Sequence, residues 1–183
     1  MTYCLATVTR DGLVMAADSR TNAGVDYTST YRKLFDFSQP RDRVILLCTS
    51  GNLSITQAVL RSLRRDLGND GQENQHHLHN LPTMYDIAQY IGETFRKIQD
   101  RDRPWLEKDN IDHTCNFLVG GQLRGESTEL YLIYPQGNFI QSTEETPFLQ
   151  IGETKYGKPI LDRTITFETP LSAVAKCALL SID

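Results

Sequence analysis

No stretch of this 183-residue chain comes near the ~18 consecutive apolar residues that a membrane-spanning helix needs. No basic segment followed by an apolar one stands at the N-terminus, as an export signal would. Cysteine is sparse and dispersed: Cys4, Cys48, Cys115 and Cys177 form no CxxC pair, and none suggests a zinc site with a histidine. Three of the four sit in apolar runs, where a free cysteine behaves as a small buried hydrophobe. A reduced, cytoplasmic compartment is the expectation. An excess of basic charge is missing too. Nineteen Lys and Arg stand against 23 Asp and Glu, net −4, which leaves no footprint for nucleic acid or an anionic membrane.

What is present is enough chain and apolar content for one domain with a real core, expected to span 1–183. Residues 2–9 alternate, with Tyr3, Leu5, Thr7 and Thr9 on one face and Cys4, Ala6 and Val8 on the other. Asp11-Gly12 then predicts a hairpin turn into LVMAADS. Both faces of this hairpin carry apolar residues, as in a sheet covered on two sides. RKLFDF (32–37) and VILLCTSG (44–51) read as further strands. After Gly51 the period changes. Ile55, Val59, Leu63 and Leu67 predict an amphipathic helix ended by Gly68. The polar stretch 68–80 reads as a surface loop, and Thr83 with Asp86 as a weak capping box opening a second helix with a Met84, Ile87, Ile91, Phe95, Ile98 stripe.

CNFLVGGQ and ELYLIYP predict another hairpin through Arg124-Gly125-Glu126, followed by FIQST and FLQIG strands. Thr169 as cap and Pro170 as first residue open a last helix, whose stripe includes Leu171, Val174, Ala178, Leu179 and Ile182. That stripe is still in register at Asp183, which suggests further C-terminal residues. The block order, strands then helices then strands then helix, predicts an α+β fold: a four-layer αββα sandwich of two antiparallel sheets between helix layers.

Thr2 follows Met1 directly and already belongs to the first strand. A threonine hydroxyl is a poor nucleophile without a base. Removal of Met1 would free an α-amine beside the Thr2 hydroxyl, with an ordinary pKa of about 7.7–8.0, suited to general-base work. Asp18 ends the second strand, and Lys33 falls in the next. A cation near the amine would keep it neutral and favour ionisation of the hydroxyl, and a buried lysine needs a carboxylate partner. Taken singly, Thr2 is a strand former, Asp18 a turn residue and Lys33 a solvated charge.

Together, Thr2 after Met1, GLVMAADSRTNAG, YRKLF and SGNL resemble the proteasome β-subunit-like threonine peptidases of the N-terminal-nucleophile hydrolases. DSRTNAGVD and IGETKYGKPILDR are most similar to the bacterial Anbu (ancestral β-subunit) group, over essentially the whole chain. The resemblance implies Thr2 as nucleophile and base, with Asp18 and Lys33 as its supporting pair. It implies Gly51 as oxyanion donor, Asn22 beside an extended peptide, and Asp183 as a support for the nucleophile. Glu153 and Thr154 replace the Gly/Ser turn of proteasome subunits, and a carboxylate there would raise the amine's pKa and slow the chemistry. The implied function is a threonine-type peptidase acting on peptides within a homo-oligomer, a ring or an open helical stack, with no cofactor and with an unfoldase partner unspecified. The alternatives are an amidase for a small peptide-like metabolite, or a weakly catalytic scaffold of the same fold.

Other features carry less. His76, His77 and His79 match no common zinc spacing and read as a solvated loop. Trp105 follows the second helix as either an interface anchor or a satellite core contact. Arg61, Arg64, Arg65 and Asp66 read as a solvated helix face.

Overall fold

The computed structural model describes residues 2–19, 30–68 and 76–182. Two antiparallel sheets are stacked face to face. The smaller has the order β2-β1-β8, from β1 (Tyr3–Thr9), β2 (Gly12–Ala17) and β8 (Phe148–Gly152). The larger has the order β3-β4-β5-β6-β7, from β3 (Leu34–Asp36), β4 (Arg43–Gly51), β5 (Cys115–Leu123), β6 (Glu129–Ile133) and β7 (Phe139–Gln141). α1 (Leu53–Gly68) and α2 (Met84–Lys108) cover the larger sheet, while α3 (Gly157–Thr164) and α4 (Leu171–Ile182) cover the smaller. This is the expected four-layer α+β sandwich.

The alternation of β1 explains the layering. Cys4, Ala6 and Val8 meet Cys48, Leu118 and Leu130 between the sheets, while Tyr3 and Leu5 meet Leu161, Val174 and Ala178 under the helices. All seven residues of β1 are buried. A third apolar layer lies between the larger sheet and α1–α2, with Phe95 edge-on to Phe117 at 5.3 Å. Cys4, Cys48 and Cys115 are buried free thiols, and burial pushes the Cys115 thiol up to about 12. Among the described residues no helix is long and apolar enough to cross a membrane.

Several expectations need correction. β3 is three residues long, so Lys33 stands one residue before it. Residues 76–81 are not a solvated loop. Leu78 is inserted into the core, and His77 is buried with Nδ1 accepting the His79 N–H at 3.2 Å. Arg43 pins this segment by donating to the Leu78 and Leu81 carbonyls. α2 continues past the expected end through Pro104 to Lys108, which puts Trp105 on the helix and 71% exposed, not in a buried satellite of the core. α3 was not expected at all. Its Pro159 is tolerated because first-turn N–H groups have no helical partner. Asp66 is buried and accepts from the Tyr90 hydroxyl at 2.5 Å, and Arg64 lies over the Phe35 and Phe37 rings. In α4 Leu179 is exposed instead of facing the core, and the Thr169 hydroxyl accepts the Thr166 N–H. The Thr83 cap holds as expected, accepting the Asp86 N–H at 3.1 Å.

Candidate active site

At the N-terminal end of β1 the chain is held from both sides. The Thr2 carbonyl accepts the Glu153 N–H at 2.7 Å, and the Tyr3 N–H donates to Asp18 Oδ1 at 2.8 Å. Asp18 closes the β1–β2 ladder, its own N–H donating to the Tyr3 carbonyl at 3.1 Å. Its second oxygen accepts from Lys33 Nζ at 2.6 Å. The Lys33 side chain is 3% exposed and that of Asp18 17%. An ammonium buried this far stays charged only with a hydrogen-bonded partner. One carboxylate therefore joins a buried cation to the backbone of the residue after Thr2.

Lys33 is in turn tied to the larger sheet, its carbonyl accepting the Thr49 N–H at 3.0 Å. Cys4 sets β1 over the same stretch of β4, its thiol 3.8 Å from the Thr49 carbonyl. Two residues further on, Gly51 ends β4 at φ 105°, where an added Cβ would stand 2.1 Å from the Thr114 carbonyl oxygen. Only glycine makes that turn. Gly152 is the counterpart beside Thr2, at φ 87° with a virtual Cβ 1.9 Å from the Thr2 carbonyl oxygen.

The structure thus brings Asp18 and Lys33 together next to the half-buried Thr2. Glu153 is exposed; its carboxylate accepts the Lys155 N–H at 3.1 Å, and its backbone, not its side chain, contacts Thr2. The Thr154 carbonyl accepts the Lys158 N–H as α3 begins. Asn22 and Asp183 lie outside the described residues. Sequence reasoning overlooked Asn52, whose Oδ1 accepts the Ile55 N–H at 3.2 Å and whose Nδ2 donates to the Asp112 carbonyl, fixing the Gly51 turn to the start of α1. The signal was there: Asn directly ahead of an apolar-periodic run is a helix cap. Among the described residues no three His, Cys, Asp or Glu side chains gather as metal ligands would.

Neither a protein-family model nor a curated protein matches this chain. Solved structures do. The Anbu complex from Pseudomonas aeruginosa, described as a helical assembly, has a chain 49% identical with a TM-score of 0.90, the match covering 98% of this chain and 72% of that one. The chain belongs to the Anbu family. Anbu (ancestral beta-subunit) from Yersinia bercovieri is 46% identical with a TM-score of 0.88, again over 98% and 72%. Anbu from Hyphomicrobium sp. strain MC1 is 43% identical over the same shares, with a TM-score of 0.88. The Anbu fold is proteasome-like, of the N-terminal-nucleophile hydrolase kind, and the four layers described above are that fold. In this Anbu chain the buried Asp18–Lys33 pair is a fixed electrostatic element at the N-terminal strand. A cation so placed favours the anionic form of a nearby hydroxyl and the neutral form of a nearby amine.

Proposed function

We propose that the chain is a threonine-type amide hydrolase acting on peptides, with Thr2 as nucleophile once Met1 is removed. The observation that supports this most is Asp18, which divides its two oxygens between the Tyr3 N–H and the Lys33 ammonium. A structural ion pair alone has no need to hold the backbone beside Thr2. In the proposed reaction the Thr2 α-amine takes the hydroxyl proton, and Oγ attacks the substrate carbonyl. The Gly51 N–H stabilises the oxyanion. Collapse breaks the C–N bond, the amine returns its proton to the leaving nitrogen, and an ester remains on Thr2. Water activated by the same amine cleaves the ester and restores the hydroxyl. Lys33, held by Asp18, keeps the resting amine neutral, so that it can accept the hydroxyl proton at each turnover. The subunits work in a homo-oligomer, a ring or an open helical stack, by analogy with the helical assembly of the Pseudomonas relative.

The test is covalent labelling with a peptide epoxyketone, which closes a ring with both the hydroxyl and a free α-amine. The processed chain should gain one adduct by intact mass. Thr2→Ala should gain none, and Lys33→Ala should react on the order of 10³-fold more slowly. Equal labelling of folded wild type and Lys33→Ala would remove the lysine from the mechanism. A native-host protein whose mass includes Met1 would remove the base.

A further inference from the structure

A cleft of about 530 Å³ that this chemistry does not use lies on the outer helix layer, between α1 and α2. Arg61 and Arg65 line it from α1 and Arg101 from α2, together with Ile98, Ser54 and Gln57. Residues four apart share a helix face, so the two α1 guanidiniums stand in one row. Arg65 is oriented by Asp66 Oδ1 and Ser62, and Arg101 by both oxygens of Asp102. Arg61 makes no ion pair among the described residues. α1 carries three arginines and one aspartate, net +2, in a chain of net −4. The helix opposes the charge of the rest of the molecule.

Many exposed carboxylates are already engaged, Glu107 by Arg103, Asp162 by Lys158 and Glu168 by Arg10. Glu144 and Glu145 differ. They form the exposed tip of a tight turn between β7 and β8, with no ion pair among the described residues. Reciprocal Thr143–Thr146 backbone bonds of 3.2 and 3.1 Å close the turn, and the Thr143 hydroxyl also accepts the Thr146 N–H. Backbone and Thr143 hydrogen bonds hold the Glu145 carboxyl below its ordinary range, so it is ionised at neutral pH. The result is a hydrogen-bonded turn that presents two adjacent exposed carboxylates, a feature complementary to a cationic surface.

We propose that the Glu144–Glu145 tip of one copy docks in the arginine cleft between α1 and α2 of the next, an inference that rests on the reading of the chain as a self-assembling subunit. Carboxylates meet guanidiniums in short, directional hydrogen bonds. The cleft is on a helix layer and the tip joins the edge strands of the two sheets, so the patches are different surfaces of one subunit. Such a head-to-tail contact propagates as a ring or a helix, not as a closed two-fold dimer.

Analytical ultracentrifugation at micromolar concentration and low salt tests this with Arg61→Glu/Arg101→Glu and Glu144→Lys/Glu145→Lys, each confirmed as folded by circular dichroism. Each charge-reversed variant should assemble at least about tenfold more weakly than wild type, and an equimolar mixture of the two should regain part of that loss. Wild-type-like assembly of both variants would overturn the docking contact and leave the assembly reading intact. A monomeric wild type would overturn the assembly reading and, with it, this contact. If Arg61→Glu/Arg101→Glu keeps its size yet loses binding of a fluorescent glutamate-rich peptide, the cleft serves a foreign acidic partner and the proposal falls.

Discussion

Asp18 is a short side chain with two obligations, and their energetics can be separated. Asp18→Asn keeps the shape but leaves the Lys33 ammonium, 3% exposed, beside a neutral amide. Removing one partner of a buried pair costs about 3–5 kcal/mol. The lower end applies here, because Asp18 retains some access to solvent. Lys33→Met in the same background should recover most of that loss, since an apolar pair of similar volume is often neutral. Urea unfolding midpoints at constant slope provide the check. A loss below about 0.5 kcal/mol for Asp18→Asn would mean that solvent already screens the pair. The pairing itself was readable from the sequence, because a lysine drawn into a sheet sandwich requires a carboxylate. The bond from Tyr3 N–H was not. It depends on Asp18 falling opposite Tyr3, and a one-residue slip of the hairpin would have turned it away.

The strands and the first helix follow from alternation and four-residue spacing, and Thr83 announces α2 by the chemistry of its cap. What the pattern could not reveal is where α2 stops. Pro104 and its charged neighbours look like a terminus, yet the helix runs on to Lys108. From Asp100 onward none of its residues is fully buried, and Leu106 alone leans on the core. Pro104 has no N–H to offer the Asp100 carbonyl, so this extension has one fewer bond and little packing. Pro104→Ala should supply that bond. Hydrogen exchange of residues 100–108 should slow by up to about 100-fold, from a helix-interior preference of about 3 kcal/mol. The global unfolding midpoint should stay within about 0.5 kcal/mol, because the extension frays before the sandwich opens. A larger shift in the midpoint would show that the extension is coupled to the core. α3 escaped notice for a related reason. Gly157 and Pro159 discourage a helix assignment by composition, although both sit in a first turn where they cost little.

Four stacked layers were foreseeable because β1 is apolar on both sides, and a strand of that kind has to be covered twice. The neighbour that completes it was not. β8 pairs with β1 across more than 130 residues of chain, and no local signal records that choice. The same placement of elements decides what light can report about this protein. Its single tryptophan, Trp105, rides on the α2 extension and is 71% exposed. Its emission in an isolated subunit should already be close to that of the free indole in water. Denaturant should therefore move the emission maximum little while far-ultraviolet circular dichroism loses its full amplitude. A large red shift that coincides with the dichroism would place the indole in the cooperative core. The fluorophore that normally watches a protein fold is here a gauge of whatever comes to rest against the end of α2.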